Sequence, residues 1–519
     1  MGRFIHRSAL HSRGGAASDE LPDARPADPL GSIECPVGTG CGGDGVPAHR
    51  RIVIRKGDDV GIDAFDVIVI GAGPSGEVAA GDLAAQGRSV AVVEAALVGG
   101  ECAFYACMPS KALLRPAEVL AEVRRVPGAA QAITGSLDVA ATLARRDEVI
   151  HSLDDSSKVS WLDEHKITLI RGQGRLAGER CVSVGDQRYE ARSAVVVAVG
   201  SAAAVPPIQG LAAVRPWTNR EVTTARKIPA SLLVLGGGAV GVEMAQAYRE
   251  LGASVTIVEA LDRLVSGEEP FAALELGAAF RELGIDIRLG VKAESVDRAG
   301  GIVKVELSDG QRVEAEEILV AVGRRPLTDD LGLETVGLKP GETIEVDDTL
   351  RVPGLPWLFA VGDVNGRSLL THMGTYQARV AAQVIVGREA RATRDDDGAP
   401  RVIFTDPQVA AVGLTLQGAK DRGINARAYD VATSDTAGAS FHGRNTPGTS
   451  RLVVDEDRSI IVGATFTGTE VAEWLQAATI ALVGEIPMAL LREAVPAFPT
   501  RSEVWLRLLE RWSTKTHAR

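Results

Sequence analysis

Short runs of β-branched and other apolar residues alternate along the chain with Ala-rich segments of helical character. Residues 65–70 form such a run, which is typical of a buried parallel strand, and an Ala-rich helix is predicted shortly after it. A second strand is predicted at 89–93, and the same order of strand, helix and strand recurs from 232–235 to 254–258. The pattern therefore predicts an α/β fold in which one strand–helix–strand unit occurs twice.

A glycine-rich turn joins the first strand of each unit to its helix. The glycines have the spacing Gly-x-Gly-x-x-Gly, and they are Gly71, Gly73 and Gly76 in the first unit and Gly236, Gly238 and Gly241 in the second. They permit a tight turn, the approach of a pyrophosphate to the backbone, and close packing of helix on strand. Glu94 and Glu259 each follow the last glycine by 18 residues, where a carboxylate accepts hydrogen bonds from a ribose. Two bound dinucleotides are predicted; the alternative is one functional unit beside one relic.

Two cysteines, Cys102 and Cys107, follow the first unit closely. On an unbroken α-helix, residues five apart have Cα atoms roughly 8–9 Å apart, which exceeds the ~7 Å limit for a disulfide. A disulfide between them therefore requires a bulge in the backbone, and Gly99 and Gly100 provide the freedom for it. Their position predicts a redox pair beside a cofactor, and the alternative is a pair of buried structural cysteines.

Composition restricts the class of protein. The 519 residues are 45% apolar and 24% charged, as in soluble globular proteins, and suffice for three or four domains. A net charge of −12 argues against nucleic acid or an anionic membrane as a partner. Five cysteines are too few for a disulfide scaffold, so we expect a reducing, cytoplasmic location. Residues 193–214 are uncharged, but Gly200, Pro206 and Pro207 predict a buried strand and a loop there rather than a membrane span.

Residues 1–62 differ from the rest of the chain. They are rich in Gly, Ala, Pro, Asp and Arg and have little apolar periodicity, which predicts a disordered extension. Residues 1–18 contain three arginines and no acidic residue, a faint likeness to a transit peptide, but they lack the apolar segment of a secretion signal. Cys35 and Cys41 lie in this extension and are interpreted either as idle or as an electron shuttle to the core.

From residue 65 to about 510 the chain resembles the flavin-dependent pyridine nucleotide–disulfide oxidoreductases. The resemblance rests on both glycine turns, on the motif from Cys102 to Lys111, and on the segments 357–363, 404–407 and 411–415. It implies two Rossmann-like dinucleotide-binding domains, an α+β C-terminal dimerisation domain and a homodimer. The implied boundaries are 63–205 and 329–398 for the two parts of the FAD-binding region, 206–328 for the NAD(P)-binding domain and 399–519 for the dimerisation domain.

The resemblance also implies roles for individual residues. FAD occupies the first unit and NAD(P)H the second, while Cys107 faces the flavin and Cys102 exchanges with the substrate. Lys111 and Glu243 pair near the flavin ring, and Asp363 binds its ribityl chain. The remaining implied cofactor-binding positions are Gly200, Gly323, Gly362 and His372, and Glu503 is implied as a catalytic residue. No metal site is predicted. Beside a flavin and the cationic Lys111, Cys107 is expected to have a lowered pKa.

The second acidic residue bears on the choice of nucleotide. Glu259 favours NAD(H) over NADP(H), because its carboxylate suits two free ribose hydroxyls and repels a 2′-phosphate. Arg263 is close enough in the sequence to leave NADP(H) open as the alternative. NAD(H) is therefore the predicted partner of the second unit.

One departure from the family pattern bears on the substrate. Lipoamide and glutathione reductases have a His-Pro-Thr segment followed by Glu, and that His protonates the leaving thiolate. Here Phe498 occupies the position of the histidine, and Glu503 remains. A phenylalanine cannot transfer protons, and general acid–base catalysis contributes about 10²–10⁴ in rate. His372 and His442 are candidate replacements, although a packing role is favoured for His372 and His442 lies in a Gly/Ser-rich loop.

Two further departures concern metals and the redox motif. Mercuric reductases lack the same histidine but carry a cysteine pair at the extreme C-terminus, whereas no cysteine follows Cys181 here, so mercury reduction by that relay is not expected. Glu101 stands where the family usually has Thr, and Val199 where it usually has Thr. The sequence offers no physical account of either residue.

Three functions remain as hypotheses. The first is an FAD-dependent oxidoreductase of the dihydrolipoyl dehydrogenase type, which passes electrons between NAD(P)H and a disulfide or dithiol substrate through Cys102 and Cys107 and serves cell redox homeostasis. The second is an NAD(P)H-dependent reductase of quinones or another diffusible acceptor, which Phe498 favours because a quinone needs no thiolate protonation by that residue. The third is a non-enzymatic flavin-binding redox sensor.

Overall fold

The computed structural model describes residues 63–395, 398–444 and 446–517. The predicted extension at 1–62, with Cys35 and Cys41, lies outside these residues. Within the described part of the chain, no helix combines the length and the apolar character that crossing a membrane requires. The uncharged stretch at 193–214 contains the end of one strand, a second short strand and a loop, as its glycine and prolines predict.

Residues 63–203 supply most of an eight-stranded sheet and the helices beside it. The elements are strands β1 (Asp63–Ile70), β2 (Val90–Glu94), β3 (Thr168–Arg171), β4 (Gly174–Leu176), β5 (Cys181–Val184), β6 (Gln187–Val197) and β7 (Ser201–Ala203), and helices α1 (Pro74–Ala85), α2 (Gly100–Phe104), α3 (Cys107–Arg125), α4 (Val139–Val149) and α5 (Ser156–Glu164). β1 pairs in parallel with β2 on one side and with β6 on the other. The chain order therefore reverses at β1, which is where ligands bind in open α/β sheets.

The alternation of side chains along the second half of β1 explains why residues 67–70 are all apolar. Val67 and Val69 belong to one buried cluster, and Ile68 and Ile70 belong to another on the opposite face of the sheet. All four are at most 2% exposed. A parallel sheet covered on both faces requires apolar residues at every position of its central strand.

Residues 219–326 form the second unit. Its elements are helices α6 (Asn219–Thr224), α7 (Ala239–Glu250) and α8 (Pro270–Glu282), and strands β8 (Ser231–Leu235), β9 (Ser254–Glu259), β10 (Asp286–Leu289), β11 (Ala293–Ala299), β12 (Ile302–Leu307), β13 (Arg312–Ala315), β14 (Glu317–Val320) and β15 (Arg324–Pro326). Four of the strands form a parallel sheet in the order β10-β9-β8-β14. β11, β12 and β13 form an antiparallel sheet, and β15 pairs with β7 of the first unit.

The chain then returns to the first sheet before it enters the C-terminal part. β16 (Arg351–Val352) and β17 (Leu355–Ala360) extend the first sheet beyond β6, and α9 (Thr371–Ile385) lies beside α1. The C-terminal part contains β18 (Arg401–Ile403), β19 (Gln408–Gly413), α10 (Leu416–Asp421), β20 (Ala426–Ala432), β21 (Thr449–Asp455), β22 (Ile460–Gly468), α11 (Leu475–Val483), α12 (Met488–Leu491) and α13 (Glu503–His517). Its five strands form one antiparallel sheet with its own buried cluster. The predicted fold class, two Rossmann-like units followed by an α+β part, is confirmed.

Candidate active site

The two glycine turns have the same steric design. Gly71 has φ +101° and Gly236 has φ +104°, and a Cβ at either position would lie 2.5 Å from a backbone carbonyl oxygen. A Cβ at Gly76 would lie 2.0 Å from the oxygen of Gly71, and a Cβ at Gly241 would lie equally close to that of Gly236. Because real side chains never come so close, only glycine allows each helix to start against its strand.

The middle glycine of each turn faces open space. Gly73 and Gly238 cap the N-termini of α1 and α7, and a Cβ at either would meet no atom within 4 Å. Free backbone N–H groups and the positive end of a helix dipole are therefore accessible at both places, which suits a pyrophosphate. The residues present fit a dinucleotide at each turn.

Glu94 and Glu259 close these turns in the same way. Glu94 accepts hydrogen bonds from the N–H groups of Ala72 and Ala96, both at 2.7 Å. Glu259 accepts them from Gly237 at 2.6 Å and from Leu261 at 2.8 Å. Each carboxylate is thereby fixed beside its glycine turn, where a ribose would lie.

A cleft of about 670 Å³ opens at the second turn. Its lining includes Gly236, Gly238, Glu259, Gly323 and Arg324. Arg263, which kept NADP(H) as the alternative nucleotide, does not line this cleft. Its guanidinium donates a hydrogen bond to the Ser266 carbonyl at 2.8 Å. Lys292 does line the cleft and is a cation that sequence reasoning missed.

The helix is interrupted between the two cysteines. α2 ends at Phe104, Ala106 has the non-helical angles φ −137° and ψ −96°, and α3 begins at Cys107. A disulfide between Cys102 and Cys107 requires such a break in the helix. Both sulfurs are free thiols on half-buried residues, and Cys107 Sγ lies 3.4 Å from Thr371 Oγ1 at the start of α9.

The two thiols have opposite acidities. A hydrogen bond from Cys102 is the largest influence on Cys107, and with help from Thr371 and the charge of Lys111 it lowers the pKa of Cys107 to about 6 in spite of burial. The same hydrogen bond, together with burial, raises the pKa of Cys102. The lowered pKa of Cys107 was expected, but Lys111 is a smaller cause than the sequence suggested. These shifts favour a Cys107 thiolate that accepts a hydrogen bond from a protonated Cys102 at neutral pH.

Lys111 and Glu243 come together beside this pair. Lys111 Nζ lies 2.7 Å from Glu243 Oε2, and it also lies 4.8 Å from the centre of the Phe404 ring. Glu243 is buried on α7, and its Oε1 accepts the Phe404 N–H at 3.0 Å. One carboxylate thus ties the redox helix to the second unit and to the start of the C-terminal part.

Asp363 lies next to the first turn. It follows Gly362, whose Cβ position would be 2.8 Å from Ser75 Oγ at the start of α1. Asp363 accepts a hydrogen bond from Ser201 Oγ at 2.5 Å. Gly200 and Gly323, with φ +72° and +135°, lie at opposite ends of the ribbon formed by β7 and β15.

The structure explains why position 101 is acidic. Its carboxylate accepts hydrogen bonds from Asn219 Nδ2 and Arg220 Nε, each at 2.5 Å, and Arg324 lies 3.6 Å away. Arg324 in turn lies 3.7 Å from Asp363. A threonine could not bind these two arginines, so the acidic residue connects the redox motif to α6 and to the floor of the nucleotide cleft.

The C-terminal segment contains no proton donor at its expected position. Phe498 is 77% exposed, and Glu503 accepts the Gly438 N–H at 3.0 Å. His372, next to Thr371, hydrogen-bonds through Nε2 to the Pro400 carbonyl at 2.7 Å. His442 lies on the turn Gly438–His442 and forms a pair with Glu470 that the sequence did not reveal.

Two glycine turns that fit dinucleotides, with a dithiol next to the first, define the class, a nucleotide-dependent disulfide oxidoreductase. Comparison with known proteins agrees. The family model described as pyridine nucleotide-disulphide oxidoreductase matches residues 65–383, and the model of its dimerisation domain matches 399–508. The chain therefore belongs to this family of FAD- and pyridine nucleotide-dependent flavoenzymes, as the resemblance in its sequence implied.

Individual relatives span nearly the whole of the matched region. The chain is 34% identical over 460 residues to a dihydrolipoyl dehydrogenase of Mycobacterium tuberculosis, covering 85% of this chain and 96% of the relative. It is 29% identical over 468 residues to a mercuric reductase of Bacillus cereus, covering 88% and 73%. Its fold is similar to that of the HOCl-induced flavoprotein disulfide reductase RclA of Escherichia coli, with TM-score 0.76, 24% identity and coverage of 86% of this chain and 99% of that chain.

Proposed function

We propose that the protein is a cytoplasmic, homodimeric NADH-dependent reductase of small disulfides that acts through Cys102 and Cys107. The observation that carries the proposal is the free thiol pair at the start of α3, in which one hydrogen bond lowers the pKa of Cys107 and raises that of Cys102. Such a division supplies one thiolate for electron exchange and one thiol for the substrate. The relatives named dihydrolipoyl dehydrogenase support the same substrate class.

The residues of this chain that would hold FAD are the first glycine turn, Glu94 and Asp363, with the N-terminus of α1 at the pyrophosphate. The chemistry that FAD supplies when bound is hydride acceptance from a nicotinamide and delivery of an electron pair to a disulfide. Lys111, held by Glu243, places a positive charge beside the thiolate. The proposed domain boundaries are 63–205 and 329–398 for the FAD-binding region, 206–328 for the NAD(P)-binding domain and 399–519 for the dimerisation domain.

NAD(H) is the proposed nucleotide of the second site. The Glu259 carboxylate accepts two backbone N–H groups at the mouth of the cleft, and a 2′-phosphate there would face its charge. Lys292 and Arg324 in the cleft lining supply positive charge, which suits the pyrophosphate that both nucleotides share.

A second candidate function is the reduction of quinones. Phe498 favours it, because the segment that carries a proton donor in lipoamide reductases has none here and a quinone needs no thiolate protonation from it.

The test is NADH oxidation by purified, flavin-loaded protein with lipoamide or a benzoquinone as acceptor, in wild type and Cys107→Ser. We expect lipoamide reduction in wild type and its loss in Cys107→Ser, since the dithiol is then broken. Quinone turnover that persists undiminished in the variant, with no lipoamide turnover in wild type, would favour the second candidate. If NADH does not bleach the flavin, both reductase functions are excluded and the non-enzymatic redox sensor is the hypothesis that stays.

A further inference from the structure

The dimerisation domain contains a carboxylate–imidazole pair outside the site described above. His442 Nδ1 lies 3.2 Å from Glu470 Oε2, and the two side chains are 37% and 43% exposed. A carboxylate on one ring nitrogen fixes the orientation of an imidazole and leaves the other nitrogen, Nε2, available to a substrate.

The backbone and its neighbours hold Glu470 in place. Glu470 has φ +58°, a left-handed conformation that costs energy for a residue with a side chain. Arg501 is buried, stacks on the Trp474 ring at 4.7 Å and donates to Thr469, with its guanidinium 3.8 Å from the Glu470 carboxylate. The pair is thus built into the domain rather than being a chance surface contact.

The turn that carries His442 rests on the segment in which Phe498 stands. Its first residue, Gly438, donates its N–H to Glu503, and a Cβ at Gly438 would lie 2.1 Å from the Thr500 carbonyl carbon. The imidazole that the segment 497–503 lacks is therefore present on the turn packed against it.

The length of α3 decides which thiols His442 can reach. The Arg444 N–H donates to the carbonyl of Arg125, the last residue of α3, at 3.0 Å. Cys107 is the first residue of this 19-residue helix, so it lies about 27 Å away at a rise of 1.5 Å per residue. Proton transfer requires hydrogen-bond distance. His442 cannot act on the thiols of its own chain.

The thiols within reach of His442 would then be those of a second copy of the chain. Phe441, Val495 and Phe498 are 67%, 81% and 77% exposed, and they lie on the domain whose family model is the dimerisation domain. Large apolar side chains this exposed are suited to burial against another subunit. A face that contains His442 would then meet the partner.

We propose that His442, oriented by Glu470, is the proton donor and acceptor for disulfide exchange at the Cys102–Cys107 site of a second copy of the chain. The inference rests on the proposed function as a disulfide reductase. It assigns the general acid and base that the Phe498 segment lacks to a different loop of the same domain.

Disulfide exchange takes place through a mixed disulfide on Cys102. Neutral His442 takes the proton of Cys102, whose raised pKa makes a base necessary, and the sulfur attacks substrate R–S–S–R′, forming a Cys102–S–R bond and breaking the substrate S–S bond. The leaving R′S⁻ takes the proton back from His442. The Cys107 thiolate then attacks Cys102, forming the enzyme disulfide and releasing RS⁻, which takes one proton from solvent through His442. Two electrons pass from the dithiol to the substrate, and two thiols leave.

The first test compares leaving groups in His442→Gln. With lipoamide, whose alkyl thiolate needs a proton, we expect a loss of about 10²–10⁴ in kcat. With an aromatic disulfide such as 5,5′-dithiobis(2-nitrobenzoate), whose acidic thiol leaves as the anion, we expect little change. His165→Gln, an exposed histidine beside Trp161, is the matched control and should leave both rates unchanged.

The second test uses heterodimers made by co-expression with two affinity tags. A Cys107→Ser chain paired with a His442→Gln chain contains one intact composite site, so we expect about half of the wild-type lipoamide rate from two chains that are each inactive as homodimers. A wild-type chain paired with the double variant contains no intact composite site and should be inactive.

Each alternative outcome is decisive. If His442→Gln loses activity on both disulfides equally, or on neither, the assignment of His442 is overturned. Disulfide reduction itself would still be established by the wild-type rates. A leaving-group-dependent loss in His372→Gln instead, with no rescue in heterodimers, assigns the acid to the same chain and also overturns it. Wild-type protein that reduces neither disulfide refutes the proposed function and this inference together.

Discussion

The two glycine turns are nearly identical in their own geometry and differ in what surrounds them. Both use the same 2.5 Å and 2.0 Å approaches to carbonyl oxygens. The redox motif packs against the first turn, since a Cβ at Gly100 would lie 2.8 Å from the Cα of Gly73. The second opens into the cleft of about 670 Å³. Under the proposed function, one local design would thus hold FAD beside the thiols and admit and release NAD(H).

The largest effect should come from the glycines that touch backbone. Gly76→Ala and Gly241→Ala each place a Cβ 2.0 Å from a carbonyl oxygen, and overpacking of this kind costs about 1–3 kcal/mol or more. We expect both to lower Tm, but only Gly76→Ala to purify without flavin. The flavin-to-protein absorbance ratio measures how much flavin each variant retains. Equal flavin loss in both variants would contradict the assignment of FAD to the first turn and NAD(H) to the second.

Substitution of the middle glycines should separate binding from stability. Gly73→Ala and Gly238→Ala point a methyl group into open space, so Tm should stay close to wild type. A bound pyrophosphate would meet the methyl group, and a clash of about 1–3 kcal/mol corresponds to roughly 5- to 150-fold weaker binding. FAD titration of the apoprotein should show the loss in Gly73→Ala, and the NADH KM should show it in Gly238→Ala.

The thiols beside the first turn permit a pH experiment. Cys107 is a thiolate above its pKa of about 6 and becomes protonated as the pH falls below it. Alkylation of Cys107 in the reduced protein, followed by peptide mass spectrometry, should therefore slow with a midpoint near pH 6. Cys102→Ala removes the largest cause of the lowered pKa and should move the midpoint upward; Thr371→Val should move it less. An unchanged midpoint in Cys102→Ala would contradict the assigned hydrogen bond.

The smallest effect concerns nucleotide preference at the second turn. Glu259→Gln removes a unit charge whose repulsion of a 2′-phosphate at about 4 Å in water is ~1 kcal/mol. The preference for NADH over NADPH in kcat/KM should fall several-fold. Glu94→Gln, the equivalent change at the first turn, is the control and should leave the ratio unchanged. A wild-type enzyme that prefers NADPH would refute the assignment of Glu259.

Local patterns allowed most of the fold and part of the site to be predicted. The strand before Gly71 and the break between Cys102 and Cys107 follow from periodicity and helix geometry, which act over a few residues. Contacts between distant segments were beyond such reasoning. Asn219 reaches Glu101 from 118 positions away, and no sequence pattern marks that pairing. The His442–Glu470 pair depends on a left-handed backbone at a glutamate, which residue type alone does not predict.

The 19-residue length of α3 has a consequence for dilute solution. A solitary chain contains both glycine turns and the dithiol, yet its own His442 lies a full helix length from Cys107. Electron uptake from NADH should thus survive dissociation, whereas lipoamide turnover per chain should decline once the concentration falls below the dimer dissociation constant. The ratio of the two rates then reports the state of assembly.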